Sequence, residues 1–113
     1  MKIKNLNEVQ SESVDMYGST GTTIQWLWGR EDKVPNFMLR KFIMKPGGNI
    51  GLHSHQEEHE IYILKGEGIA FDESGTEFKI KETDTIYVPP NEAHGYTNNG
   101  KENLEFLCII PLL

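Results

Sequence analysis

The chain has 113 residues, which suits one domain of the usual roughly 100 to 200 residues and leaves no room for a second. A composition of 37% hydrophobic, 25% charged and 10% aromatic residues excludes a disordered or fibrous chain. Seventeen acidic against eleven basic side chains leave a formal charge of −6, which argues against nucleic acid or an anionic membrane surface as partner, since both reward a basic patch.

Residues 1–15, MKIKNLNEVQSESVD, are polar and read as an arm or frayed terminus of a single domain spanning 1–113. They carry no apolar h-region, so no secretory signal is expected. From there, short β-prone runs alternate with turn signals, and no helix-period segment of ten or more residues stands out. Strands are predicted near Thr22–Trp28, Asn36–Met44, Ile50–Leu52, His59–Lys65 and Gly68–Phe71. Others follow near Thr76–Lys81, Thr85–Val88, Ala93–Thr97 and Leu104–Ile110. Gly, Asn, Asp and Pro punctuate the gaps, including Pro46–Gly48 and Pro89–Glu92. The class is all-β. About eight short antiparallel strands avoid open edges best as a closed or double-sheet barrel.

The closing FLCIIPLL is far short of the roughly 20 residues of a membrane-spanning helix and is broken by Pro111. The single cysteine, Cys108, excludes an intrachain disulfide and fits a reducing compartment. A cytoplasmic location without a membrane partner is therefore expected.

Strand alternation sorts the side chains. Along Asn36–Lys45, Lys41 and Lys45 should face water, which sends Met38, Arg40, Phe42 and Met44 inward. Arg40 is then a charge on an apolar face. It is either one half of an interior or interface ion pair or a clamp for a substrate carboxylate. On the last strand Glu105 marks the outer face, so Leu104, Phe106, Cys108 and Ile110 share the inner one. Phe106 and Cys108 are core residues or line a substrate cavity. Cys108 has no adjacent base to make it a nucleophile. Trp26 and Trp28 share the parity of Ile24 and belong to the core or to a dimer surface.

Four histidines carry the chemistry: His53, His55, His59 and His94. His53 and His55 are separated by one residue, so on a strand both project to the same face. Two imidazoles on one face of a narrow barrel are awkward to pack and well placed to chelate Zn, Fe, Cu or Ni. Tyr96 lies two residues past His94 and shares its face, placing a phenol at the pocket mouth. Gln56, Glu57 and Glu58 read as a solvated turn.

The segment GGNIGLHSHQEEHEIYILKGEG resembles the first motif of the cupin family, G-x5-H-x-H-x(3,4)-E-x6-G, through Gly47, His53 and His55. TDTIYVPPNEAHGYTN resembles the second, G-x5-P-x-G-x2-H-x3-N, through Pro89, His94 and Asn98. The resemblance covers Gly47 to Asn98, close to half the chain, and implies a small single-domain cupin barrel with a metal inside. Thr83 and Asn91 stand where the family usually has glycine. Asn tolerates the left-handed region, whereas Thr83 is harder to place. At the family's glutamate position, the six-residue spacing to Gly66 favours His59, with Glu60 as the alternative ligand.

The resemblance therefore implies one divalent transition metal (Mn, Fe, Ni, Cu, Co or Zn) on four histidines. Neutral imidazoles leave its +2 charge uncompensated, which suits an anionic or enolate ligand, and an octahedral ion keeps two positions open. The expected function is a metal-dependent enzyme acting on a small molecule by dioxygenase-type oxidation. Arg40, Tyr96, Phe106 and Cys108 are the substrate-side residues. The alternatives are a metal-dependent isomerase and a non-catalytic small-ligand sensor. Family habit adds a homodimer through the outer sheet.

Overall fold

The computed structural model covers Met1–Leu113. Nine strands run in chain order: β1 (Ser11–Ser13), β2 (Thr20–Trp28), β3 (Phe37–His53), β4 (His59–Lys65), β5 (Glu67–Asp72), β6 (Glu77–Lys81), β7 (Thr85–Val88), β8 (His94–Thr97) and β9 (Leu104–Pro111). All of their pairings are antiparallel, and together they form one curled sheet in the order β6-β5-β8-β3-β9-β4-β7. β2 adds to β3, and β1 adds to β2. This is the all-β barrel that the turn spacing predicts. No helix is long and apolar enough to cross a membrane.

The sequence reads two strands either side of Pro46–Gly48, but the structure has one bent strand. The first part of β3, Phe37–Met44, pairs with β9; its end, Asn49–His53, pairs with β8. Pairing survives the bend because Asn98 takes over there. Its carbonyl accepts from Gly47 N–H at 2.9 Å, and its own N–H donates to Gly48 O at 3.0 Å. The Asn98 side chain donates to Met44 O and Glu102 O at 2.9 and 2.8 Å and accepts from Gly100 N–H at 2.9 Å. A backbone φ of +82° at Gly47 makes the corner, a conformation glycine adopts without steric cost.

The inner face follows the predicted alternation. Met38, Phe42 and Met44 from β3, Ile61 and Ile63 from β4, and Leu104, Phe106, Cys108 and Ile110 from β9 are all buried. Lys41 departs from it. Its face of the sheet is covered, and its Nζ pairs with Glu105 at 2.9 Å rather than facing water. Thr83 and Asn91 both take left-handed φ, +72° and +67°, which is why glycine is usual at these positions.

The N-terminal residues are not a frayed arm. β1 pairs with β2 through Ser11↔Gln25, and Gln25 Nε2 donates to the carbonyls of Leu6 and Val9 at 3.1 and 2.9 Å. Unpaired backbone groups along the β2 edge draw the polar segment down onto the barrel.

Candidate metal centre

Strand pairing brings the four histidines together. His53 ends β3 and faces His94, the first residue of β8, across the ladder. His59 opens β4, and His55 lies in the intervening turn, whose backbone is pinned by Asn91 N–H donating to His55 O at 2.8 Å. One ligand-capable nitrogen from each imidazole lies within 4.8 Å of all the others, a cluster that could hold a metal ion. His59 and His94 are buried, and His53 and His55 are half-buried. Glu60 is exposed on the outer face, opposite in parity to His59.

The donor chemistry fits a cation. The Nδ1 atoms of His53, His55 and His94 each sit 2.8 Å from a backbone carbonyl, of Gly51, Glu57 and Glu92 respectively. A carbonyl only accepts, so each Nδ1 carries the proton and each Nε2 presents a lone pair. Such outer hydrogen bonds fix the tautomer of a metal-binding histidine. His94 Nε2 is buried without any partner, a cost that a cation would remove.

Burial and mutual repulsion favour the neutral form of His53, His59 and His94. Burial and then the Arg40 charge push the His59 pKa down to about 2. Burial lowers His94 to about 4, against the Glu92 hydrogen bond that favours its charged form, and also lowers His53. Neutral imidazole is the ligand form.

The cluster opens into a cavity of about 380 Å³ with mostly apolar walls, among them Ile24, Trp26, Phe42, Ile61 and Phe106. Arg40 and Cys108 also line it. Arg40 has no carboxylate partner: the close ion pairs are Lys4–Asp32 and Lys41–Glu105, with His55–Glu57 at 3.9 Å. Its guanidinium lies 5.0 Å from the Phe42 ring and 5.6 Å from that of Trp26, and its Nε is buried without a partner. An interior salt bridge is thus not its role. Cys108 is 2% exposed, and burial raises its thiol pKa.

Tyr96 departs from expectation. It is buried within the cavity lining, 4% exposed, rather than open to solvent at a mouth. Its ring packs 5.6 Å from Phe106, its hydroxyl has no partner, and burial raises its pKa. The mouth is built instead by residues that strand alternation could not place. Val14, Met16 and Tyr17 line it, and Tyr17 stacks on His53. A second cavity of about 600 Å³ lies among β5 to β8 and shares only His94 of the cluster.

Residues 40–110, more than half the chain, match the cupin domain family. The chain belongs to the cupin family. An oxalate-binding protein from Thermotoga maritima is 44% identical to this cupin over 77 residues, 67% of the chain and 63% of that protein. The chain thus spans less than two thirds of that relative's length. In three dimensions, the cupin resembles a predicted oxalate decarboxylase from Thermotoga maritima, with a TM-score of 0.88 and 31% identity, covering 99% of this chain and 100% of that one. It also resembles the polyketide cyclase RemF from Streptomyces resistomycificus, with a TM-score of 0.91 and 29% identity, covering 98% and 79%.

Proposed function

We propose that this cupin is a metal-dependent enzyme for a small carboxylate- or enolate-bearing molecule, with His53, His55, His59 and His94 as ligands of one divalent transition ion. The observation that carries the reading is the convergence of four imidazoles beside a guanidinium that has no carboxylate of its own. A bound divalent ion supplies Lewis acidity to a carbonyl, carboxylate or enolate oxygen. Arg40 orients the anionic end of the ligand through charge-assisted hydrogen bonds. Phe42 and Phe106, with Tyr96 beneath them, exclude water and strengthen those interactions. The oxalate-binding protein and the predicted oxalate decarboxylase among its relatives support a small dicarboxylate as ligand.

Calorimetric titration of oxalate into the Zn²⁺-loaded protein tests this reading. One site per chain is expected, and Arg40→Met should weaken it about 10- to 100-fold, the worth of a charged hydrogen bond. Oxalate binding of equal strength without metal would remove the ion from the reading.

Dioxygenase-type oxidation is a second reading, favoured by the aromatic walls of Phe42, Tyr96 and Phe106, which suit an aromatic or enolic substrate. Oxygen uptake in step with substrate loss supports it; substrate loss without uptake supports decarboxylation or isomerisation. For the expected homodimer, the exposed Tyr62, Tyr87 and Ile109 on the outer face supply an apolar surface, and sedimentation equilibrium tests it.

A further inference from the structure

Three buried side-chain polar atoms of this chain have no hydrogen-bond partner: Arg40 Nε, His94 Nε2 and the Tyr96 hydroxyl. All three residues line the same cavity of about 380 Å³. Unpartnered buried polar groups are rare and costly, so three around one cavity mark it as a place for a polar ligand. His94 Nε2 belongs to the four-histidine cluster. Arg40 Nε and the Tyr96 hydroxyl are left over, and both can donate.

Each donor is held in place by packing. Tyr96 is 4% exposed, with its ring 5.6 Å from that of Phe106. The Arg40 guanidinium lies 5.0 Å from the Phe42 ring and 5.6 Å from that of Trp26, and its Nη2 is 2.9 Å from Cys108 Sγ. Phe42 and Phe106 stack at 5.1 Å, so one aromatic layer joins the two donors. Tyr96 also borders the second cavity. The ionisable groups that act on its phenol, Cys108 and Arg40, line the first cavity and not the second, which fixes the side the hydroxyl serves.

We propose that Arg40 Nε and the Tyr96 hydroxyl form a two-donor oxyanion subsite beside the four histidines, selecting a chelating carboxylate that keeps an oxygen free for them. This deepens the reading above and rests on it for the ion. Arg40 supplies charge, and Tyr96 supplies selectivity. A ligand with no acceptor at this place leaves a buried hydroxyl unpaired and is rejected for that reason. Oxalate meets the requirement, since chelation through two oxygens keeps two more. Acetohydroxamate chelates through two oxygens and keeps none.

Calorimetric titration of both probes into the Zn²⁺-loaded protein tests the subsite. Tyr96→Phe, which removes only the hydroxyl, should weaken oxalate about 10- to 100-fold, the range for a hydrogen bond to a charged group, and leave acetohydroxamate within about twofold. Equal oxalate affinity in wild type and variant would overturn the proposal, and so would an equal loss of both probes. Combining Tyr96→Phe with Arg40→Met should cost less than the product of the single losses, because both donors grip one group. A fully multiplicative loss would overturn the shared subsite. Without either probe, Tyr96→Phe should unfold at the same or a higher urea concentration than wild type, since the hydroxyl it removes has no partner. A lower midpoint would place that hydroxyl in a bond within the protein and overturn the proposal. Wild-type protein that binds both probes no better with Zn²⁺ than without sinks the metal reading; the urea comparison and the oxalate loss in Tyr96→Phe need no ion and still judge the subsite.

Discussion

The ring of Tyr17 lies flat on His53, with centroids 4.3 Å apart and planes 5° from parallel. Its backbone is held at a φ of +61°, and a Cβ on Gly51 would run into its carbonyl oxygen. The N-terminal segment is therefore a wall of the four-histidine cluster. Tyr17→Ala should cost about 0.5–1.5 kcal/mol, the worth of an aromatic pair. Gly51→Ala should cost more, because backbone must move to admit the methyl group. Urea unfolding of the metal-free protein measures both, and no change in either would return the segment to a loose arm.

Metal content separates His59 from Glu60. Elemental analysis of protein expressed in its own host should find close to one divalent ion per chain. His55→Ala should lose most of it, and Glu60→Gln should keep it, since Glu60 points away from the cluster. A large loss in Glu60→Gln would make that carboxylate a ligand.

Asn98 is 1% exposed and joins both ends of the β3 corner. Asn98→Ala leaves the Met44 and Glu102 carbonyls and the Gly100 N–H without that partner. A loss of about 2–4 kcal/mol follows from stranding such groups. Asn98→Asp should be no better, because a carboxylate cannot donate to the two carbonyls. Chemical denaturation checks the ranking.

Thr83 carries a β-branched side chain at a φ of +72° while its N–H donates to Ile63 O at 2.9 Å. Thr83→Gly should raise stability by about 1 kcal/mol, the strain relieved outweighing the extra freedom of the unfolded chain. Asn91→Gly should gain less, since Asn tolerates the region. Thermal unfolding of the two variants gives the comparison.

A chelator supplies the last check. Removing the ion with EDTA should lower the melting temperature, because ligand binding to the folded state adds stability in proportion to its occupancy. His94→Ala should lose this chelator response, and a full response in that variant would exclude His94 from the site.

Much of this was legible in the chain itself. A period of two placed Met38, Arg40, Phe42 and Met44 on one face, and Leu104, Phe106, Cys108 and Ile110 on the inner face of the last strand. Alternation is local: each strand residue's side is decided by its immediate neighbours. The resemblance to the cupin motifs marked the four histidines, and it marked Thr83 and Asn91 as positions where glycine is usual, both of which take a left-handed φ.

What lay beyond the sequence depends on segments meeting. Only the closed sheet shows that Asn98 carries β3 through its bend, that Lys41 is covered and paired with Glu105, and that Tyr17 roofs His53. The surroundings of His59 have the same origin, since its neighbours Arg40 and Cys108 come from β3 and β9. Register between distant strands decides which side chains touch, and no local pattern records it.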